Sequence, residues 1–520
     1  LSTNIKIARA SFILMAANII YLVAGIAREV IVASRFGISQ QMDAFFAAFT
    51  IPDVLNNIVL GAFSAVFIPI YIQYRVRDKK EADVISSSII NIIMLVLAVL
   101  NLAILAASPL IVKIFFGGFS PDTAALCVKI LKILSFTVFF SGLSGILLSL
   151  LNAHEYFFLP AISNVFRPLL TIVFVLLLSY HFGVSVLGLG LLAGILFQIA
   201  FLIPALKSAG FKHSRLIDLK HPAVRETFSS ASIFLIAMGV SHLNIIIDRI
   251  MASYLHAGSI SALNYADRIV QVPTIILSGS IAAAVLPFFS LQAAGEKYAE
   301  LRDSLAKSIT MVALIFFPLT ILVLVFSRQF IELMYERGAF GAQATGLTAT
   351  ILAFYSLELF SYTVVLVMTK VFQALKKIKT IVVIAAIGFV LKIVLNFALI
   401  KLITPPVAGI ALSSSLVYFA SMLLCFVFLK RILGYLGGKY MLIGASRIFA
   451  ASLAMGAALL LFSDVAARSM PGSSFELKAL RLFCPAAAGA VVFFAAAILL
   501  RVDELNKLKY FLFEKPRQQP

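Results

Sequence analysis

The chain has 520 residues, 62% of them hydrophobic and only 12% charged, with a mean hydropathy of +1.06. A soluble protein of this length carries about 25% charged residues, so the composition excludes a soluble globular domain and a protein with a single anchor, and predicts a polytopic membrane protein. The net charge of +19 does not require a nucleic-acid partner, and none is expected, because Lys and Arg of membrane proteins gather in cytoplasmic loops beside anionic headgroups.

The first apolar stretch, 11–36, is long enough to cross a bilayer and has Arg28 and Glu29 inside it. It is too long and too charged for the core of a signal peptide and is expected to remain as the first span. Further spans are predicted at 44–74, 86–112, 127–151, 160–180, 185–205, 229–255, 261–290, 306–326, 345–372, 380–400, 407–429, 445–462 and 482–500, fourteen in all. The fold class is therefore an all-α integral membrane protein. With Lys6 and Arg9 inside, the inner loops hold Arg75, Arg77, Lys79 and Lys80, then Lys212, Arg215, Lys220 and Arg225, then Lys376, Lys377 and Lys379, then Lys430, Arg431 and Lys439, and finally Lys507, Lys509, Lys515 and Arg517. The outer loops hold scattered cations such as Lys113, Arg328, Lys401 and Arg468. This asymmetry places both termini in the cytoplasm. The segment 207–227 also carries Leu216, Ile217 and Leu219 and is expected to lie partly along the membrane surface as an amphipathic linker.

Arg28, Gly37 and Pro52 have the same spacings, 9 and 15, as Arg249, Gly258 and Pro273, and the run 61–69 (GAFSAVFIP) matches 279–287 (GSIAAAVLP). The pattern predicts two pseudo-symmetric six-helix lobes, 1–206 and 228–431, joined by the 207–227 linker and followed over 440–520 by a C-terminal helix pair and a basic tail. Repeated halves of the same orientation are a transporter architecture.

There is no Walker loop, no HExxH and no clustered His/Cys set, so no enzyme activity, cofactor or metal is expected. Cys127, Cys425 and Cys484 are isolated and form no CxxC pair. His154 and His213 are expected to be solvated in cytoplasmic loops.

The residues that stand out are charges inside apolar stretches, where a charge costs at least about 2.5–3.5 kcal/mol and faces a partner or a watery cavity. Arg28 and Glu29 are neighbours, about 100° apart on a helix, and are not expected to neutralise each other. Asp43 sits at the outer mouth of the second span. Arg249 and Arg268 lie in the spans that mirror the first two. The arginine fork suits a phosphate, so Arg28, Arg249 and Arg268 are candidates to hold a pyrophosphate; the rival is a set of structural ion pairs, for instance Arg268 with Asp43. Arg167, near the start of the fifth span, is expected to snorkel, with substrate contact as the alternative. Asp248 of span 7 and Lys392 of span 11, which shares a face with Asn396, form a candidate ion-coupling pair. Pro52, Pro69, Pro273, Pro287 and Gly61 are expected to bend helices.

At these positions the chain resembles the MurJ/MviN family. The residues that carry the likeness are Ala27-Arg28-Glu29, Phe36-Gly37, Met42-Asp43-Ala44-Phe45-Phe46, Pro52, Gly61-Ala62-Phe63 and Phe67-Ile68-Pro69, followed by Tyr265-Ala266-Asp267-Arg268 with Pro273, Tyr335-Glu336-Arg337-Gly338-Ala339-Phe340, and Phe372-Gln373-Ala374. The resemblance covers nearly the whole chain. It implies membership of the multidrug/oligosaccharidyl-lipid/polysaccharide exporter superfamily, fourteen helices in two lobes around a cationic cavity, and flipping of lipid II, the undecaprenyl-pyrophosphate-linked peptidoglycan precursor, across the bacterial inner membrane. It also implies that Arg28, Asp43 and Arg268 match positions important for transport. The chain departs from the family at Leu22 and at Asn56-Asn57, where arginines are frequent; Asn56 and Asn57 then become candidates for substrate contact in their place. Lys392 makes a sodium site between helices 7 and 11 doubtful. The expectation is an ATP-independent flippase working by alternating access. The alternatives are a flippase for another polyprenyl-linked oligosaccharide (O-antigen or exopolysaccharide), a drug/cation antiporter, and an enzyme of the polyprenyl-glycan pathway. The expected partners are the lipid-linked saccharide and membrane lipids.

Overall fold

The computed structural model describes residues 3–470, 472 and 474–505; only the backbone is described for 3–14, 59–66, 230–238, 240, 241 and 439. The basic tail, with Lys507, Lys509, Lys515 and Arg517, lies outside the described residues, as do the side chains of Lys6, Arg9 and Lys439. The described chain is all-helical: α1 Thr3–Phe36, α2 Gln40–Arg77, α3 Lys79–Phe115, α4 Pro121–Ala153, α5 Phe158–Ser163, α6 Phe166–Phe182, α7 Val186–Ser208, α8 Pro222–Ser253, α9 Ser259–Pro273, α10 Gly279–Ala294, α11 Tyr298–Val325, α12 Ser327–Met334, α13 Ala342–Ser356, α14 Glu358–Ala374, α15 Ile378–Leu402, α16 Pro406–Leu433, α17 Gly438–Ser469 and α18 Phe475–Leu499.

Local chemistry sets many of the boundaries. Ser39 caps α2 by accepting from the Met42 amide, and Asp78, the single residue between α2 and α3, accepts from the Lys80 amide at 2.7 Å. Ser120 with Pro121, and His221 with Pro222, place a capping side chain and an N1 proline at the starts of α4 and α8. Pro52 and Pro69 sit inside a helix, α2, that runs on through them, whereas Pro273 ends α9 and a π turn, Thr274–Ser278, leads into α10. The two halves of the sequence repeat therefore differ at this proline. They agree at the preceding corner, where Gly37 and Gly258 both have positive φ, 56° and 92°.

Eleven stretches among the described residues are long and apolar enough to cross a membrane. This does not establish the expected fourteen. The stretch Phe158–Ser208 counts once although two spans were expected there, and α2 and α8 are not among the eleven.

By contact the chain falls into two compact units: 1–261 with 337–340, and 262–336 with 341–520. Helix α8, which opens the second sequence repeat, groups with unit 1, so the units divide near Ser261 and not at the 207–227 linker. Unit 1 has a core of Phe67, Tyr71, Ile89, Leu150 and Leu202 from α2, α3, α4 and α7. Unit 2 has one of Phe326, Ile448, Leu459, Leu482 and Phe493 around α11, α17 and α18.

The 207–227 linker contains an irregular segment. Residues 211–218 have no regular structure and run as a strap along α3. The amides of Lys212, Ser214 and Asp218 donate to Asp83 Oδ2, Ser87 Oγ and Ser88 Oγ, while Asn91 Nδ2 donates to the carbonyls of Ser214 and Leu216. The polar face of α3 thus satisfies the backbone of the strap, and a helix is not needed to do so. Leu216, Ile217 and Leu219 remain exposed. His154 departs from expectation. It is buried at the end of α4, with Nδ1 2.8 Å from the Leu150 carbonyl and Nε2 3.3 Å from the Tyr71 hydroxyl. Burial lowers its pKa. A neutral ring that donates from Nδ1 to the carbonyl and accepts the tyrosine proton at Nε2 satisfies both contacts.

The Arg337-Gly338-Ala339-Phe340 run docks backbone-to-backbone on the end of α1 within unit 1. The Ala339 amide donates to the Ser34 carbonyl at 2.7 Å. Gly338 has φ +59°, and a Cβ there would lie 2.2 Å from Ser34 O; a Cβ on Gly37 would lie 2.4 Å from Ala339 O. In unit 2 the rings of Tyr265 and Tyr335, both buried, pack at 5.1 Å. Glu336 accepts from Lys478 at 3.0 Å; burial alone would raise its carboxyl, but the hydrogen bonds from Lys478 and Thr345 and the nearby positive charge outweigh it and leave its pKa lowered. Replacing Gly338 by Ala should cost at least about 1–3 kcal/mol through the φ penalty and the backbone overlap. Gly346→Ala, in α13 with open space around it, should be neutral or mildly stabilising. Thermal melts of the purified variants compare the two, and equal midpoints would overturn the close approach at Ser34.

Candidate functional site

In unit 1, Arg28 and Glu29 of α1 do pair, contrary to the expectation from helical spacing. One η nitrogen of Arg28 donates to Glu29 Oε1, with the two side chains 22% and 11% exposed. The arginine is long enough to fold across the 100° between neighbours, and in an apolar setting the pairing gain exceeds the cost of bending it back. The remaining donors of the Arg28 fork make no hydrogen bond among the described residues.

Asp43, at the mouth of the second span, is held by the start of α9. It is 4% exposed. Its Oδ2 accepts from the Gly258 amide at 2.6 Å, and its Oδ1 accepts from the Ser261 amide at 2.7 Å and the Ser261 hydroxyl at 2.8 Å. These are the unpaired donors at the start of α9, so Asp43 is a helix cap supplied from α2. Arg249 of α8 also ties elements of unit 1 together: its guanidinium lies 5.8 Å from the ring of Phe46 on α2. Asp248, beside it on α8, is half-buried. Asn56 is half-buried and Asn57 exposed, and neither amide is hydrogen-bonded among the described residues.

In unit 2, Arg268 is half-buried on α9. Its Nη1 donates to Gln271 Oε1 at 3.0 Å, and Gln271 in turn donates to Asp267. The relay lies one turn before the π turn. Lys392 is 2% exposed and Asn396 fully buried, on one face of α15 with Ile384 and Gly388 at intervals of four. The Lys392 ammonium donates to Ser414 Oγ and, at 3.4 Å, to the Ile410 carbonyl, and Ser413 donates to Asn396 Oδ1. Gly409 lets α16 approach, since a Cβ there would lie 2.5 Å from Leu399 O. The shared face of Lys392 and Asn396 was legible from spacing; the serines that meet it were not.

Sequence reasoning missed Gln198. Arg167 does not snorkel. Its Nε donates to Gln198 Oε1 at 2.8 Å, and Gln198 Nε2 donates to Ser163 Oγ and Asn164 Oδ1 at 3.0 and 2.9 Å. The signal available was a glutamine in an otherwise apolar helix, one turn after a Gly190-x-x-x-Gly194 pair.

The profile of the family described as "Lipid II flippase MurJ" matches residues 32–480. The chain belongs to that family. A probable lipid II flippase MurJ of Buchnera aphidicola subsp. Baizongia pistaciae is 30% identical over 499 residues, covering 94% of this chain and 96% of the relative. The lipid II flippase MurJ of Burkholderia cenocepacia is 28% identical over 422 residues, 79% of this chain and 81% of the relative. A solved lipid II flippase MurJ in an inward closed conformation superposes with a TM-score of 0.76 at 26% identity, covering 94% of this chain and 100% of that one. An inward-facing multidrug transporter of the MATE family superposes at 0.66 with 14% identity over 80% of this chain and 95% of that one, and shares the fold alone. As a member of the MurJ family the chain is a membrane transporter of lipid-linked substrate and not an enzyme. The same match favours the lipid II reading over an O-antigen flippase or a drug/cation antiporter.

The cap at α9 generates an expectation. Asp43→Ala strands the Gly258 and Ser261 amides and should cost about 1–3 kcal/mol for each donor left buried without a partner. Asp43→Asn keeps one acceptor oxygen and should lose less. Melting midpoints of the purified variants test this. A Asp43→Ala protein as stable as the parent yet dead in transport would move Asp43 from the cap to the substrate.

Proposed function

We propose that this chain moves lipid II from the inner to the outer leaflet of the bacterial inner membrane by alternating access, without nucleotide hydrolysis, with both termini cytoplasmic. The observation that carries the reading is the family match over 32–480, and it is supported by arginines held inside apolar helices of each unit. The lipid carries a negative pyrophosphate that must cross hydrocarbon, and a guanidinium offers it two directed hydrogen bonds with a charge that persists at any working pH. Arg28 of unit 1 and Arg268 of unit 2 are proposed as headgroup contacts, with Asn56 and Asn57 as neutral contacts from α2. Arg249 is proposed to reach the headgroup only secondarily, because its guanidinium already covers Phe46. Membrane lipids surround the rest. Depletion of the protein followed by an assay of lipid II on the outer face of the inner membrane tests the function: accumulation on the inner face is expected, and an unchanged outer pool would overturn it.

Arg28→Ala and Arg268→Ala should each lower transport by about ten- to a hundredfold, the loss of one charge-assisted contact of about 1.5–3 kcal/mol, with folded protein retained. Lysine should rescue only in part because it lacks the fork. Flipping assays in proteoliposomes check this, and normal rates in the alanine variants would make both arginines structural.

Lys392 is proposed as a built-in cation. Its ammonium already fills the polar spot between α15 and α16 formed by Ser414 and the Ile410 carbonyl, and Asp248 is proposed as the acid it serves during transport. A second monovalent cation at Lys392 would meet like-charge repulsion. Transport should therefore run equally in sodium and in potassium or choline buffers. A clear sodium requirement in reconstituted vesicles would sink the idea.

A further inference from the structure

Arg167 stands at the second position of α6 inside unit 1. α5 stops at Ser163 and α6 starts at Phe166, so Asn164 and Val165 interrupt what the hydropathy predicts as one span. Three side chains at this break converge on Gln198 of α7, which is fully buried. Both donors of its amide are spent on Ser163 and Asn164, and its oxygen accepts from Arg167 Nε. The orientation of the amide follows from the network, since a flipped Gln198 would set its NH2 against the arginine. The backbones of α6 and α7 can come this close because a Cβ at Gly194 would lie 2.7 Å from Arg167 Cα, and one at Gly190 2.8 Å from Thr171 Cα. The position of the guanidinium is thus built from four side chains and two glycines.

The clamp uses one nitrogen and leaves the fork. Among the described residues Arg167 makes no hydrogen bond beyond that from Nε, so four N–H groups on the two η nitrogens are unspent. A structural tie between α6 and α7 needs only the Nε contact and gives no account of a full charge kept in an apolar segment. The level of the fork follows from α1. Arg35 Nε donates to Ser179 Oγ at 2.9 Å, an offset of 144 residues between α1 and α6. The same offset brings Arg167 to the level of Val23. Helix α1 packs against α5 as well as α6, so α1 and α6 run parallel. Val23 and Arg28 are five residues apart, about 7.5 Å along the axis of α1.

The geometry points to Arg167 as a second anion-binding group of unit 1, about one and a half helical turns from Arg28 toward the start of α1, which takes the pyrophosphate of the lipid-linked substrate, with Gln198 as its positioning residue. The assignment rests on the reading of the chain as a lipid II flippase. Two guanidinium groups spaced along one helix let a diphosphate exchange one set of hydrogen bonds for another as it moves along α1, without an interval in which its charge is unpaired in a low-dielectric setting.

The test is binding of undecaprenyl pyrophosphate to the full-length protein in nanodiscs of zwitterionic lipid, with neutral undecaprenol, soluble inorganic pyrophosphate and phosphatidylglycerol as the other arms. Arg167→Gln should weaken undecaprenyl pyrophosphate binding about tenfold or more, leave undecaprenol unchanged and keep the melting midpoint. Arg167→Lys keeps the charge without the fork and should bind between the two; it also serves if the glutamine variant does not fold. Gln198→Leu frees the guanidinium and should weaken the same probe by less than Arg167→Gln. If Arg28→Ala loses the probe while Arg167→Gln and Arg167→Lys bind it as the parent does, Arg167 is structural and the inference fails with the proposed function intact. If phosphatidylglycerol or soluble pyrophosphate competes as well as the lipid pyrophosphate, the site is a general phosphate site and the assignment to substrate is overturned. No binding of the probe to the parent protein would overturn both.

Discussion

A charge or polar group in hydrocarbon must be given a partner, and most of the described polar architecture of this chain answers that demand. Asp43 is satisfied by three donors at the start of α9. Lys392 is held by a hydroxyl and a carbonyl of α16, and Glu29 folds Arg28 onto itself. The strap over 211–218 shows the same rule for backbone: having no helix or sheet of its own, it takes its partners from Asp83, Ser87, Ser88 and Asn91. Against that background an arginine fork with donors to spare is informative. The cost of leaving it so is several times the thermal energy, and contact with the proposed anionic cargo would offset it.

Helix existence was legible in the sequence because long apolar runs have few alternatives in a membrane. Each predicted span falls on a helix or on a helix pair. What hydropathy did not reveal was where spans break. The interruption at Asn164-Val165 lies one turn before Pro168 and the π turn follows Pro273; each proline withholds an amide from the helical ladder, and neither break leaves a trace in a window average. The conformation of the linker was hidden for a related reason. Leu216, Ile217 and Leu219 are visible as apolar residues in a basic segment, but the bonds that hold the strap come from α3, more than a hundred residues earlier in the chain.

Among the recognition motifs, those with the clearest structural reason serve packing more than chemistry. Gly37 and Gly338 are glycines because two backbones touch there at positive φ. Tyr265 and Tyr335 belong to separate motifs but pack in one buried contact with their rings tilted. Asp43 caps α9 through partners at 258 and 261, more than two hundred residues away, and no local pattern in a single sequence discloses such a contact.

The arginines that remain are then fewer than the family pattern suggests, since Leu22, Asn56 and Asn57 stand where cations are frequent. The register of α1 and α6 bears on this. An offset of 144 residues, fixed by Arg35 and Ser179, sets Arg167 beside the turn of α1 that contains Leu22. A charge absent from α1 is thus present at nearly the same level on the neighbouring helix. What an anion senses is the position of a guanidinium and not the helix that carries it, so the field along this face of unit 1 can be kept while its source moves. Such a move needs support that α1 would not have had to supply: a break between α5 and α6, a buried glutamine to aim the arginine, and two glycines on α7 to make room. All of these are in the structure, which makes Arg167 a placed charge and not a tolerated one.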